Sequence, residues 1–191
     1  MRYLDFKRFS VYYDPYLIVL ISLLSVIGLF FLYSASDANL SILIKQSIFV
    51  FFGLILMVLM SQPDPQIYYS YSGIFLLISI FLVFVAILFG PQINGANRWI
   101  SFGFITLQPS ELCKIFLPIY IASYLYSVSL PINLKNTFLT IFLIFIVFFI
   151  VSSQPDLGTA IVILFSGLYV LFLAGLSWTF IGSALAIFVI S

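Results

Sequence analysis

Arg98, Glu111, Lys114 and Asp156 are the residues of this 191-residue chain whose types and spacing could handle a charged substrate. They offer two cations suited to a phosphate or pyrophosphate and two carboxylates able to hold and tune those cations. Glu111 and Lys114 stand three residues apart, which on a helix places them on one face and within pairing reach. Each acid follows a Gln-Pro dipeptide, in Gln108-Pro109-Ser110-Glu111 and in Gln154-Pro155-Asp156. Proline is favoured at the first helical position, where its missing N–H has no intrahelical partner anyway, and an acid in the first turn meets the positive end of the helix dipole. The pattern predicts Gln108 as the N-cap of one helix with Glu111 folding back onto it. It predicts Pro155 as the first residue of another, with Asp156 in its first turn. Residue chemistry alone is equally consistent with plain caps and a buried salt-bridge network that clamps helices.

What is missing excludes other chemistry. The chain has no histidine and one cysteine, Cys113, so it can build neither a Ser/His/Asp triad, nor a Cys/His zinc site, nor an intramolecular disulfide. No metal-ligand cluster and no cofactor motif stands out. Cys113 reads as a small buried residue, Lys45 as a cation that snorkels to an interface, and Asp37 as a solvated loop acid. Gly158 reads as a close-packing glycine and Thr159 as a hydroxyl bonded back into its own helix.

The elements that position these residues must lie in a membrane. Hydrophobic residues make up 64% of the chain and charged residues 7%, against about 25% charged in a soluble domain. That balance excludes a soluble globular protein and a disordered tail, and a net charge of +1 excludes a nucleic-acid binder. Charges near the bilayer centre are costly, so the charge-free stretches 15–36, 46–63, 65–97, 115–134, 136–155 and 157–191 outline the spans. Trimmed at turn residues, they predict six helices near Tyr16–Tyr33, Ile42–Met60, Gly73–Phe89, Pro109–Ser127, Thr137–Ser153 and Gly158–Gly175. The prolines of Gln62-Pro63-Asp64-Pro65 break the chain between the second and third. A seventh hydrophobic stretch after Trp178 reaches only about 20 Å as a helix before Ser191, short of the ~30 Å hydrocarbon core. The expected architecture is therefore all-α: a polytopic transmembrane helix bundle over residues 1–191, a single domain with six complete spans and a partial seventh.

Arg2, Lys7, Arg8 and Lys135 fall on one side by parity, which puts the N-terminus in the cytoplasm and Arg98, Glu111, Lys114 and Asp156 on the outer rim. Ser34-Ala35-Ser36 is a cleavage-like site, but the apolar run before it is longer than a signal-peptide core and five spans follow, so the first span is read as retained.

Three motifs now stand in order: Asn94-Gly95-Ala96-Asn97-Arg98-Trp99-Ile100, Gln108-Pro109-Ser110-Glu111-Leu112-Cys113-Lys114 and Gln154-Pro155-Asp156-Leu157-Gly158-Thr159. Together they closely resemble the SEDS (shape, elongation, division and sporulation) family of RodA, FtsW and SpoVE proteins. Tyr33-Ser34-Ala35-Ser36 adds to the likeness, and the stretch from Leu171 to Trp178 looks more like the RodA branch than the FtsW branch.

The resemblance implies a multi-pass protein of the bacterial inner membrane. Such a protein polymerises the lipid-linked disaccharide precursor lipid II into peptidoglycan glycan strands for cell elongation and rod shape. It implies a class B penicillin-binding protein, the transpeptidase, and the MreB elongation machinery as partners, and no nucleic acid. Residue by residue, Arg98, Glu111, Lys114 and Asp156 correspond to substrate-binding and cavity residues. Trp99, Gln108, Pro109, Ser110, Gln154, Pro155, Gly158 and Thr159 correspond to the structural frame of the motifs. The large outer loop that carries the family's proposed catalytic aspartate has no counterpart here, so the catalytic base is expected outside this chain and the fragment alone is expected to be inactive. A divalent cation is implied by the family only. Two other readings remain open: a flippase or transporter for lipid II, and a truncated, non-enzymatic product.

Overall fold

The structure, a computed structural model, describes residues 14–92, 95–103, 106–128 and 132–175. Arg2, Lys7, Arg8, Asn94 and the stretch from Leu176 to Ser191, including the seventh hydrophobic segment, lie outside the described residues. The chain divides into two compact units at Asp64 and Pro65.

The first unit holds two helices, α1 (Pro15–Ala35) and α2 (Leu40–Met60). Asp14 caps α1 by accepting from the amides of Tyr16 (2.9 Å) and Leu17 (3.4 Å), with Pro15 at the first position. Asp37 and Ala38, both in the left-handed region, turn the chain, and Asn39 caps α2 through the amides of Ser41 and Ile42. Neither helix buries a residue within the molecule. Helices apolar on every face suit a lipid surround.

The second unit holds α3 (Pro65–Phe89), a two-stranded ribbon, α4 (Pro109–Tyr126), α5 (Leu134–Ser152) and α6 (Leu157–Leu173). Helix α3 begins eight residues before the expected Gly73, because Pro65 serves as a first helical residue and the Tyr-rich turn that follows stays helical. In the ribbon, β1 (Ile100–Ser101) pairs antiparallel with β2 (Thr106–Leu107), Ile100 opposite Leu107. Its two-residue strands are too short to show an alternating pattern.

Helix α4 is central. It buries Cys113, Leu117, Ile121 and Leu125 at four-residue spacing against α3 and α6, while α5 packs on α6. Gly167 makes the α6 contacts possible: a Cβ there would sit 2.8 Å from Cγ1 of Ile144 on α5 and 3.3 Å from Cδ1 of Ile121 on α4. The buried hydroxyls of Ser72, Ser79, Thr137 and Thr140 bond to carbonyls three or four residues back, so these four do not meet the apolar interior bare.

Among the described residues four helices, α1, α2, α3 and α5, are long and apolar enough to cross a membrane. The architecture is a helical bundle of a multi-pass membrane protein. The expected count of six full spans is not reached on length and composition: α6 has 17 residues, about 25 Å, and α4 carries Glu111 and Lys114 in 18.

Candidate functional site

The site grows from the end of α3. At Gly90 the chain folds back so tightly that a Cβ would collide with the carbonyl oxygens of Ala86 and Trp99. Asn97 is then pinned from two sides. Its side-chain Nδ2 donates to the Ile87 carbonyl of α3 (3.3 Å), and its backbone carbonyl accepts from Nε2 of Gln154 (3.2 Å), which also reaches the Val83 carbonyl (3.4 Å). Gln154 is buried, and it clips the loop before Arg98 to α3 from the α5–α6 junction. Its Oε1 has no partner among the described residues.

With Asn97 held, Arg98 projects Nη1 to 3.9 Å from Oδ1 of Asp156. Asp156 is not in the first turn of α6, as the sequence suggested. Helix α6 starts at Leu157, Pro155 precedes it, and Asp156 is the N-cap, its Oδ1 accepting from the Thr159 amide at 3.2 Å. A carboxylate cap satisfies an orphan amide and the helix dipole together, a stronger position than one residue later. Its Oδ2 accepts from Nε2 of Gln108 at 2.6 Å, and the same nitrogen lies 3.1 Å from Oγ of buried Ser110.

The capping box expected at α4 is therefore not formed. Gln108 holds the N-cap position but makes no side-chain cap bond; its carboxamide is turned across the bundle, where Nε2 donates to Asp156. Glu111 turns instead to Lys114, with Oε1 to Nζ at 2.6 Å. Pro118, which sequence analysis passed over, lies four residues beyond Lys114 and withholds the amide hydrogen that the Lys114 carbonyl would otherwise accept.

Arg98, Gln108 and Asp156 thus converge, with Ser110 and the Thr159 amide, while Glu111 and Lys114 form a second pair on α4. Among the described residues no direct bond joins the two pairs. Both cations remain reachable: the side chains of Arg98 and Lys114 are 30% and 27% exposed, and Arg98 meets its acid at the outer limit of an ion pair. The arrangement can present guanidinium and ammonium donors to an anion while each keeps a carboxylate to neutralise it in the anion's absence.

Other expectations change. Gly158 is exposed and a Cβ there would meet nothing, so close packing is not its role. Thr159 contributes its backbone amide to the cap. Trp99 contributes the carbonyl that forces glycine at position 90. Pro109 is buried at the head of α4, and Lys45 lies over the Phe49 ring of its own helix. Cys113 is buried in the core. Among the described residues no three of His, Cys, Asp and Glu gather, and both oxygens of Asp156 accept hydrogen bonds.

The family model described as cell cycle protein, that of FtsW, RodA and SpoVE, matches residues 14–191. The peptidoglycan glycosyltransferase MrdB of Escherichia coli is 36% identical over 178 residues, covering 93% of this chain and 48% of that protein. The crystal structure of the rod shape determining protein RodA of Thermus thermophilus superposes with a TM-score of 0.81 at 28% identity, over 95% of this chain and 60% of that one. A chain from a structure on the coordination of polymerization and crosslinking by a peptidoglycan synthase complex gives 0.84 at 28% identity, over 93% and 52%. The chain spans about half the length of the curated relatives it matches.

Proposed function

The chain belongs to the FtsW/RodA/SpoVE family of cell cycle proteins, and from that premise we propose that it is part of a RodA-like glycosyltransferase that polymerises lipid II into glycan strands. Glycosyl transfer needs a base for the attacking sugar hydroxyl and a cationic site for the departing undecaprenyl pyrophosphate. The residues here serve the second task. Arg98 and Lys114 receive the pyrophosphate, Asp156 and Glu111 hold the two cations in place, and Gln108 and Gln154 fix the frame around them. Glu111 is tied to Lys114 and Asp156 to three donors, so neither is assigned as the base. The observation that carries this reading is the convergence of Arg98, Gln108 and Asp156 from three separate segments on one end of the bundle.

In this reading the six helices cross the bacterial inner membrane, with the N-terminus cytoplasmic and the Arg98 end outside, as Arg2, Lys7, Arg8 and Lys135 favour. A class B penicillin-binding protein, as transpeptidase, and the MreB elongation machinery are the proposed partners. The likeness to a chain of a peptidoglycan synthase complex supports the first of these.

Retention of lipid II by the immobilised, detergent-solubilised chain tests the reading. The double variant Arg98→Gln, Lys114→Gln should retain about tenfold less or lower, the scale of losing charge-assisted hydrogen bonds. Retention equal to that of the unaltered chain would remove the pyrophosphate site.

A further inference from the structure

At the opposite end of the second unit, α4 and α5 stand apart. Helix α4 spends its buried face on α3 and α6, and α5 packs chiefly on α6, so between α4 and α5 a cavity of about 200 Å³ is left. Its walls are Tyr120 and Tyr124 of α4 and Leu139, Phe142, Leu143 and Ile146 of α5, Ile121, backed by Gly167, forms its floor, and Thr140, which also lines it, donates its hydroxyl to the Asn136 carbonyl at 2.9 Å. Leu139 and Phe142 are more than half exposed, so the cavity is a groove that opens on the apolar surface. Apolar cavities of about 150 Å³ stay dry and accept apolar guests. This groove therefore suits a hydrocarbon chain rather than water.

The mouth of the groove carries charge complementary to one class of lipid. Lys135, Leu139, Phe142 and Ile146 follow one another at i, i+4, i+7 and i+11, a single helical face. Lys135 thus sits in the first turn of α5, on the face that lines the groove and toward the bundle end away from Asp156. It is exposed, and among the described residues it takes part in no ion pair. Beside it, the Tyr124 hydroxyl donates to Oδ1 of Asn136 at 3.1 Å, which ties α4 to α5 at the same end and gives the groove a polar rim. A cation at the membrane surface in register with an apolar slot matches a phosphate joined to an acyl chain.

We propose that the α4–α5 groove binds an anionic glycerophospholipid from the leaflet at the Lys135 end, with an acyl chain along Leu139, Phe142 and Ile146 and the phosphate on Lys135. The site is separate from the Arg98–Asp156 end and does not rest on the glycosyltransferase reading.

A reporter tests it. Phe142→Trp replaces one exposed aromatic wall residue with another, and the Phe142 chain supplies the background from the native tryptophans. The variant is placed in phosphatidylcholine vesicles containing a minor fraction of either dibrominated phosphatidylglycerol or dibrominated phosphatidylcholine. The phosphatidylglycerol should quench with about fivefold higher apparent affinity, the factor that one lysine supplies at an anionic lipid surface. Lys135→Gln in the same reporter should abolish that preference, and Lys135→Arg should restore it. Equal quenching by the two lipids, or a preference that survives Lys135→Gln, would overturn the proposal. Circular dichroism of each variant verifies that the helices are intact before quenching is compared.

Discussion

Asp156 does two jobs at once, and they can be separated by substitution. As N-cap it accepts from the Thr159 amide, and as a carboxylate it faces Arg98 and Gln108. Asn caps helices about as well as Asp. Asp156→Asn should therefore keep most of the thermal stability while weakening lipid II retention, because Arg98 loses its counter-charge and its fixed position. Asp156→Ala removes the cap as well, at a further cost of about 1 kcal/mol, which thermal unfolding followed by circular dichroism reads directly. Identical unfolding curves for the two variants would show that the cap contributes nothing. At this scale the sequence singles out residue types and helix starts more readily than it shows whom the side chains touch. The two Gln-Pro pairs mark helix starts, and both prolines stand where a helix is about to begin. Gln108 and Gln154 nevertheless bond to partners 48 to 71 residues away, and no local pattern encodes those pairings. Gln108 reads as a local cap because capping is a short-range rule, whereas its side chain is oriented by a long-range carboxylate that accepts from Nε2.

The helices themselves were legible from the gaps between charges, since a bilayer penalises every charge placed within it. Their ends were less so. Helix α3 runs to Pro65 because tyrosine and serine are tolerated in a helix that is anchored by its other side chains. The β1–β2 ribbon left no periodic trace. Glycines divide by what surrounds them, which sequence could not tell. Gly167 lies against Ile144 and Ile121, whereas Gly158 faces open space at the start of the same helix. Gly167→Ala should destabilise by about 1–3 kcal/mol through overpacking between α6 and α5. Gly158→Ala should be neutral or stabilise by up to about 1 kcal/mol, since it only narrows the unfolded chain's freedom. Chemical unfolding in mixed micelles distinguishes them. The reverse order of stabilities would mean that α6 does not pack on α5 and α4 as described.

Across the second unit, the charged groups of the described residues sort to the two ends, and between them lies an apolar core in which a hydroxyl such as that of Ser79 bonds back into its own helix. The bond between Gln108 and Asp156 fixes the start of α4 and the start of α6 at one end, and the turn from α4 to α5, with Asn136 and Lys135, falls at the other. Parity of the spans anticipated this division, and the pairing of Arg98 with Asp156 agrees with it. The account depends on those two residues sharing one membrane face, where a lipid-linked pyrophosphate could reach both. Single cysteines at exposed Ser101, Ser153 and Lys135, introduced as Ser101→Cys, Ser153→Cys and Lys135→Cys, can be tested with a membrane-impermeant maleimide in sealed vesicles; buried Cys113 provides little background. Labelling of positions 101 and 153 from the same side, with 135 reached only from the other, is the predicted result. Labelling of 101 and 153 from opposite sides would contradict it.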